Sequence, residues 1–288
     1  MTTTAQAFEQ LLEDITPPPY QRTTLVPARQ RRVEENLTAS FPSNSDMPFV
    51  QTHLMGSAAK NTALRPLDDI DVLAEFNGIK GKAWLRYQYD SRRFLYRVRD
   101  AYNGLEARPV GARGQAVRVF FLQGGYVDVA PVFRWSDDFF VLPDGSGGWL
   151  RTSPPTDQRW FAKRNAELGY QLPAVVRLLK QWNIMHSKRL RSYHLETVVG
   201  TYFTAFGTNH RQALELFFRV AGNYLTIADP GQCGGDLSTY LGWGQRQDVQ
   251  ASFARANAIC VRALGAEAQG RHTEAKRQWS MIFGRELP

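Results

Sequence analysis

The sequence predicts an α+β protein in two parts, a mixed sheet with helices followed by a lobe of helices. Three observations carry this. Several short runs before residue 150 alternate apolar and polar residues with period two, the spacing of a half-buried strand. After Pro154-Pro155 apolar residues recur three and four apart, the spacing of one helix face. Strands gathered in the first half and helices in the second make separate layers rather than an alternating α/β fold. The expected lobes are residues 1–155, with the N-terminal helices attached to the sheet, and residues 156–288.

In chain order, Phe8, Leu11, Leu12 and Ile15 share one helical face, and that helix ends at Pro17-Pro18-Pro19. Proline lacks the N–H and clashes with the preceding turn. A second helix runs from about Pro27 to Ser40 on Val33, Leu37 and Phe41. Phe49 to Leu54 reads as a strand ending at Gly56-Ser57, and Asp69 to Phe76 as another. Ala83 to Tyr102 has no Pro or Gly and predicts one helix. Val117–Leu122 and Tyr126–Val132, joined through Gly124-Gly125, predict a hairpin. Phe139–Leu142 is a further strand, followed by the loop Asp144-Gly145-Ser146-Gly147-Gly148. Beyond it, helical spacing covers Leu172–Trp182, Leu195–Phe206, Ala213–Leu225 and Val249–Leu264.

Composition excludes several classes. The chain has 288 residues, 43% hydrophobic and 22% charged, enough for a sizeable core. Its two cysteines, Cys233 and Cys260, have no CxxC spacing, so a disulfide framework and a four-cysteine zinc site are unsupported. The five histidines also lack metal spacing. The N-terminus has no secretory pattern, and no window approaches about 18 apolar residues. A soluble, cytoplasmic protein without membrane contact is expected. The 35 Lys and Arg against 27 Asp and Glu leave a net charge of +8, which attracts polyanions.

Asp69 and Asp71 stand two apart on a predicted strand. Residues at i and i+2 point to one face, roughly 6–7 Å apart. Asp128 lies in the apolar run Tyr126-Val127-Asp128-Val129-Ala130, where a carboxylate is disfavoured without a partner. Three carboxylates on neighbouring strands suit magnesium, or manganese in its place, because hard cations take oxygen ligands. A shared metal pair is the simplest partner for Asp128. Alone, the pair Asp69 and Asp71 also fits a strand-edge turn, and Asp128 also fits an edge residue bonded to backbone.

Gly56-Ser57 follows a strand and opens a short helix over Ala58-Ala59-Lys60. Exposed N–H groups and a hydroxyl there can hold phosphate, and glycine permits close approach. The fingerprints GxGxxG and GxxxxGK[ST] are absent, so dinucleotide folds and P-loop ATPases are unsupported. The order strand, Gly56-Ser57, Asp69-x-Asp71, then a distant strand aspartate at Asp128 resembles the polymerase-β nucleotidyltransferases. More narrowly, GSAAKNTALRPLDDIDVL and YVDVAPVF resemble the oligoadenylate synthetases and cyclic GMP-AMP synthase-like enzymes, and within them the bacterial CD-NTases.

That resemblance implies a polymerase-β-like nucleotidyltransferase lobe, with Asp69, Asp71 and Asp128 as catalytic metal ligands. Gly56 and Ser57 would hold the donor phosphates. It also implies that Lys180 and Ser192 hold the triphosphate and that Tyr193 stacks on a base. From the residues alone, a surface lysine, a helix cap and a half-buried core tyrosine fit these three better. Lys180 lies off the Val175-Val176-Leu179-Trp182 face and is expected to reach solvent or ligand. Arg151-Thr152-Ser153-Pro154 resembles the segment after the last strand of the catalytic lobe.

The implied reaction joins nucleoside triphosphates (ATP, GTP or others) into a cyclic di- or oligonucleotide signal of anti-phage defence, without nucleic acid. A regulatory partner protein is compatible with it. The alternative is a template-independent enzyme making linear oligoadenylate or extending an RNA end. A module that only binds a partner is the third reading, and the presence of all three carboxylates weighs against it.

Overall fold

The computed structural model describes residues 2–78, 82–102, 111–122, 124–207 and 209–288. In chain order the elements are α1 (Thr4–Ile15), a π-helical segment (Gln21–Leu25), α2 (Val26–Ser40), β1 (Phe49–Met55), α3 (Gly56–Ala59) and β2 (Asp69–Phe76). Then come α4 (Ala83–Tyr87), α5 (Ser91–Asp100), β3 (Gly111–Arg113), β4 (Ala116–Phe120), β5 (Tyr126–Arg134), β6 (Phe140–Pro143) and β7 (Trp149–Thr152). The helices α6 (Pro154–Glu167), α7 (Leu172–Met185), α8 (Ser192–Tyr202), α9 (His210–Val220), α10 (Trp243–Ala268) and α11 (His272–Phe283) complete the chain.

These elements form two compact units. One comprises residues 18–158 with 231–233; the other joins the residues up to Pro17 to residues 159–230 and 234–288. The expected attachment of the first helix to the sheet is therefore corrected. Phe8 of α1 packs edge-on against Trp279 of α11, with ring centroids 4.9 Å apart, and against Phe283 at 5.6 Å. Phe8, Leu11, Trp279 and Phe283 are all at most 2% exposed. The apolar face of α1 was legible, but not which surface would cover it.

In the sheet unit the strand order is β1-β2-β5-β4-β3, with β6 on the end of β5 and β7 on β6. Among the described residues only β2 and β5 run parallel; the other pairs are antiparallel. Strand alternation divides the side chains between two faces. One face carries Ile70, Val72, Ala74, Val117, Val119, Val127 and Val129. They pack with Val33 and Leu37 of α2 and Phe94 and Val98 of α5 in a continuous core. The other face carries a smaller cluster, Leu73, Ala130, Val132, Phe140 and Leu142. Phe94 and Phe133 stack at 4.3 Å in the larger core.

Two further expectations change. The single helix over Ala83–Tyr102 is two helices, α4 and α5, because Asp90 leaves the helical path and its side chain accepts from the Arg92 N–H at 3.2 Å. An N-cap aspartate satisfies an orphan donor of the helix it opens. Arg151 and Thr152 do not follow the last strand; they lie in it, β7, paired with Val141 and Phe140.

In the helical unit, Trp182 of α7 contacts Phe218 at 4.8 Å and Phe253 at 5.4 Å. Each side chain is at most 2% exposed. Among the described residues, no helix is long and apolar enough to cross a membrane.

Candidate active site

The parallel ladder of β2 and β5 places Asp71 directly beside Asp128, and Asp69 beside Tyr126. Neighbouring strands lie about 4.8 Å apart. In-register residues share a face, so Asp69, Asp71 and Asp128 all project from the side carrying the smaller apolar cluster. Depth differs along these strands. Asp69 is exposed, Asp71 and Asp128 are half-buried, and Leu73 and Ala130 two residues on are buried. The carboxylates therefore stand at the rim where the sheet face leaves its apolar cover.

The register of β1 on β2 pairs Met55 with Asp71, so the turn leaving β1 falls against that aspartate. Gly56 begins α3 with φ +62°, and a Cβ there would run into Asp71 Oδ2. Both the backbone angle and the close approach require glycine. Ser57 follows on the first turn, and its carbonyl accepts from the Thr62 N–H at 2.9 Å. Lys60, just past α3, is buried and pairs with Asp157 Oδ2 at 2.5 Å. Gln158 donates to the Leu54 carbonyl at 2.8 Å. These two contacts tie the strand end and its turn to the first residues of α6.

Asp128 has a partner that the sequence reading missed. Arg118 of β4 faces it in the antiparallel ladder. Its Nε donates to Oδ1 at 2.8 Å and its Nη2 to Oδ2 at 2.7 Å. The guanidinium also lies 3.8 Å from the centroid of the Tyr126 ring. Hydrogen bonding to Asp128, opposed by burial, holds the Arg118 proton more firmly than usual. Both Asp128 oxygens are engaged by arginine, a partner within the protein beside the metal pair expected from the sequence. Among the described residues, no group of three or more His, Cys, Asp or Glu stands ready to hold a metal ion. A signal for Arg118 was present, since it is the charged residue of Val117-Arg118-Val119-Phe120 and hairpin pairing through Gly124-Gly125 sets it opposite Asp128.

Burial raises the pKa of the Tyr126 hydroxyl, aided by the nearby Asp69 carboxylate. The unit also holds a cavity of about 580 Å³ lined by Arg29, Arg32, Asn36, Tyr102 and Phe121, among others. None of the three aspartates lines it.

In the helical unit, Lys180 of α7 is 7% exposed, and its Nζ lies 3.9 Å from Glu196 Oε2 of α8. Of the two expectations for this lysine, solvent or ligand, burial removes the first: the residue sits where α7 packs on α8. Asn183 donates to the Leu190 carbonyl at 2.7 Å and accepts from the Leu190 N–H at 3.1 Å. That pair closes the turn leading to Ser192, the exposed first residue of α8. The Tyr193 hydroxyl donates to Asp229 Oδ1 at 2.6 Å. Next to it, buried His194 meets the Leu225 carbonyl at 2.7 Å and Tyr240 Oη at 3.0 Å, and burial lowers its pKa. Cys233 and Cys260 are free thiols.

Comparison with known proteins gives the arrangement a family. Residues 1–165 match the model of the Second Messenger Oligonucleotide or Dinucleotide Synthetase domain. The cyclic AMP-AMP-AMP synthase of Acinetobacter sp. (strain ATCC 27244 / 9458) is 23% identical, across 99% of this chain and 86% of that protein. Among solved structures, the Escherichia coli MS115-1 CdnC:HORMA-deltaN complex superposes with a TM-score of 0.78 at 21% identity, over 99% of this chain and 98% of that one. The Vibrio cholerae DncV cyclic AMP-GMP synthase, with the linear intermediate 5′ pppA(3′,5′)pG, gives a TM-score of 0.74 at 14% identity, over 99% and 97%. The family match covers more than half of the chain, and the protein therefore belongs to the second messenger oligonucleotide or dinucleotide synthetases, the nucleotidyltransferases that build cyclic oligonucleotide signals.

Proposed function

We propose that the protein joins nucleoside triphosphates, ATP and GTP foremost, into a cyclic di- or oligonucleotide at the rim formed by Asp69, Asp71 and Asp128. In each step an acceptor hydroxyl attacks the α-phosphorus of a donor triphosphate. The bond to the β,γ-phosphates breaks, pyrophosphate leaves, and the hydroxyl proton passes to Asp128. The observation that carries this reading is the in-register placement of Asp71 beside Asp128, with Asp69 two residues away on the same face.

The donor set suits a hard divalent cation, since all three ligands are carboxylates and two are on one strand. Magnesium, or manganese, would neutralise the triphosphate there and lower the pKa of the attacking hydroxyl. The protein's own residues supply positioning, which dominates phosphoryl chemistry. Asp69 and Asp71 hold the cations, and Asp128 completes the set. Gly56 brings backbone close to the phosphates, and Ser57 adds a hydroxyl. Lys180 and Ser192 are further triphosphate contacts, the lysine at a buried position balanced by Glu196. Tyr193, anchored through its hydroxyl on Asp229, offers a ring face to a base, a contact worth about 1–3 kcal/mol.

The reading includes a cytoplasmic location, a role in anti-phage signalling and a regulatory protein partner. The partner is supported by the E. coli neighbour, which is a complex with HORMA-deltaN. The deciding experiment incubates the chain with ATP, GTP, CTP and UTP, no RNA, and magnesium. Pyrophosphate release and phosphatase-resistant products identified by mass are expected. Release that persists in Asp69→Ala/Asp71→Ala would refute the site. Products that form only on added RNA, or that phosphatase degrades, would refute the ring.

A further inference from the structure

Both carboxylate oxygens of Asp128, a member of the proposed metal set, accept from one guanidinium. The pairing is side-on and bidentate, through Nε and Nη2 at 2.8 and 2.7 Å, a geometry stronger than a neutral hydrogen bond. Both side chains are only about a fifth exposed, 23% for Arg118 and 22% for Asp128, so solvent screens the pair incompletely. Arg118 is seated from beneath by the Tyr126 ring, and Tyr126 is itself the ladder partner of Asp69. The arginine thus occupies the face of the sheet on which the three carboxylates stand. Without a cation, three carboxylates there would repel one another.

We propose that Arg118 is a built-in counter-cation that latches Asp128 until a metal–triphosphate arrives, an inference that rests on the site assigned under Proposed function. A cation alone must break the bidentate pair and strand the guanidinium without an anion. A nucleoside triphosphate removes that obstacle, because phosphate oxygens accept the same two N–H groups. Arg118 then passes from carboxylate to phosphate, and Asp128 turns to the metal. The consequence is coupled loading: metal binds weakly alone and tightly with triphosphate. Arg118 is a positioning residue that acts through Asp128, and it sets the order in which the site fills.

Manganese binding to the full chain, read as loss of the free-ion paramagnetic resonance signal, tests this without turnover. The titration is run on wild type, Arg118→Gln, Arg118→Lys and Asp71→Asn, with and without a non-hydrolysable ATP analogue. For wild type, weak binding alone and marked tightening with the analogue are expected. Arg118→Gln should bind manganese alone about tenfold more tightly and lose most of the tightening. Arg118→Lys keeps the charge but not the fork and should fall between. If Arg118→Gln does not keep the wild-type near-ultraviolet dichroism, Arg118→Lys carries the comparison. Manganese affinity unchanged or weaker in the folded Arg118 variant, with binding still abolished by Asp71→Asn, overturns the latch and leaves the site standing. Binding indifferent to Asp71→Asn under both conditions overturns the site, and the latch with it.

Discussion

Two acidic groups stand on the same sheet face, four residues apart along β2, and the protein treats them differently. Glu75 is 5% exposed and fully enclosed by its own partners. Arg134 donates to both its oxygens at 2.7 Å, His53 lies at 2.8 Å and Gln51 at 3.3 Å. Burial raises its pKa, but hydrogen bonds from His53, Arg134 and Gln51 outweigh that and take it down to about 2. At the rim, Asp71 and Asp128 are half-buried, Asp69 is exposed, and one arginine is matched to Asp128. A carboxylate whose partners all come from the protein is part of the scaffold. Three carboxylates sharing a face at the exposed rim of the sheet are arranged where something arriving from solution can reach them.

This contrast can be broken by substitution. The largest effect is expected at the rim, where Asp71→Asn should lower pyrophosphate release by about a thousandfold or more. Its unfolding free energy should stay within about 0.5 kcal/mol of wild type by urea titration. A stability loss matching the activity loss would erase the distinction. Glu75→Ala should do the reverse. It leaves Arg134 without its carboxylate partner and should cost about 3 kcal/mol of stability, with residual activity in the folded fraction.

Gly56→Ala tests the boundary between the two behaviours. Its Cβ would meet Asp71 and its φ is positive. A stability loss of about 1 kcal/mol and a turnover loss exceeding it are expected, whereas an active, unshifted variant would remove Gly56 from the site. The smallest effect is in pH dependence. Glu75 titrates lower folded than unfolded, so its stabilisation is complete above about pH 4.5 and fades as pH falls toward about 2. The stability gap between wild type and Glu75→Gln should narrow over that window, and a gap that widens on acidification would reverse the assigned direction.

Much of the site was legible because its residues lie within short sequence spans. Asp69 and Asp71 share a face by strand alternation alone, and Gly56-Ser57 follows its strand directly. Arg118 was also within reach, since the hairpin register pairs it with Asp128, but an arginine in an apolar strand reads first as a solvated edge residue. The burial of Lys180 was hidden for a different reason. Helical spacing showed that it lies off the main apolar face of α7, and it could not show that α8 covers the side it points to. The break at Asp90 was hidden because the stretch has no Pro or Gly, and only the cap hydrogen bond marks it.

The sequence by itself determined which faces alternate, which residues must be glycine or proline, and that three carboxylates would sit on strands. Those follow from backbone geometry within a few residues. Only the tertiary structure decided that β5 lies parallel beside β2 with Asp128 level with Asp71. It also decided that α1 packs with α11, and that Glu75 is sealed while Asp69 is open. The reason is physical: pairing register and burial depend on contacts between segments far apart in the chain, and no local pattern carries the identity of the distant partner.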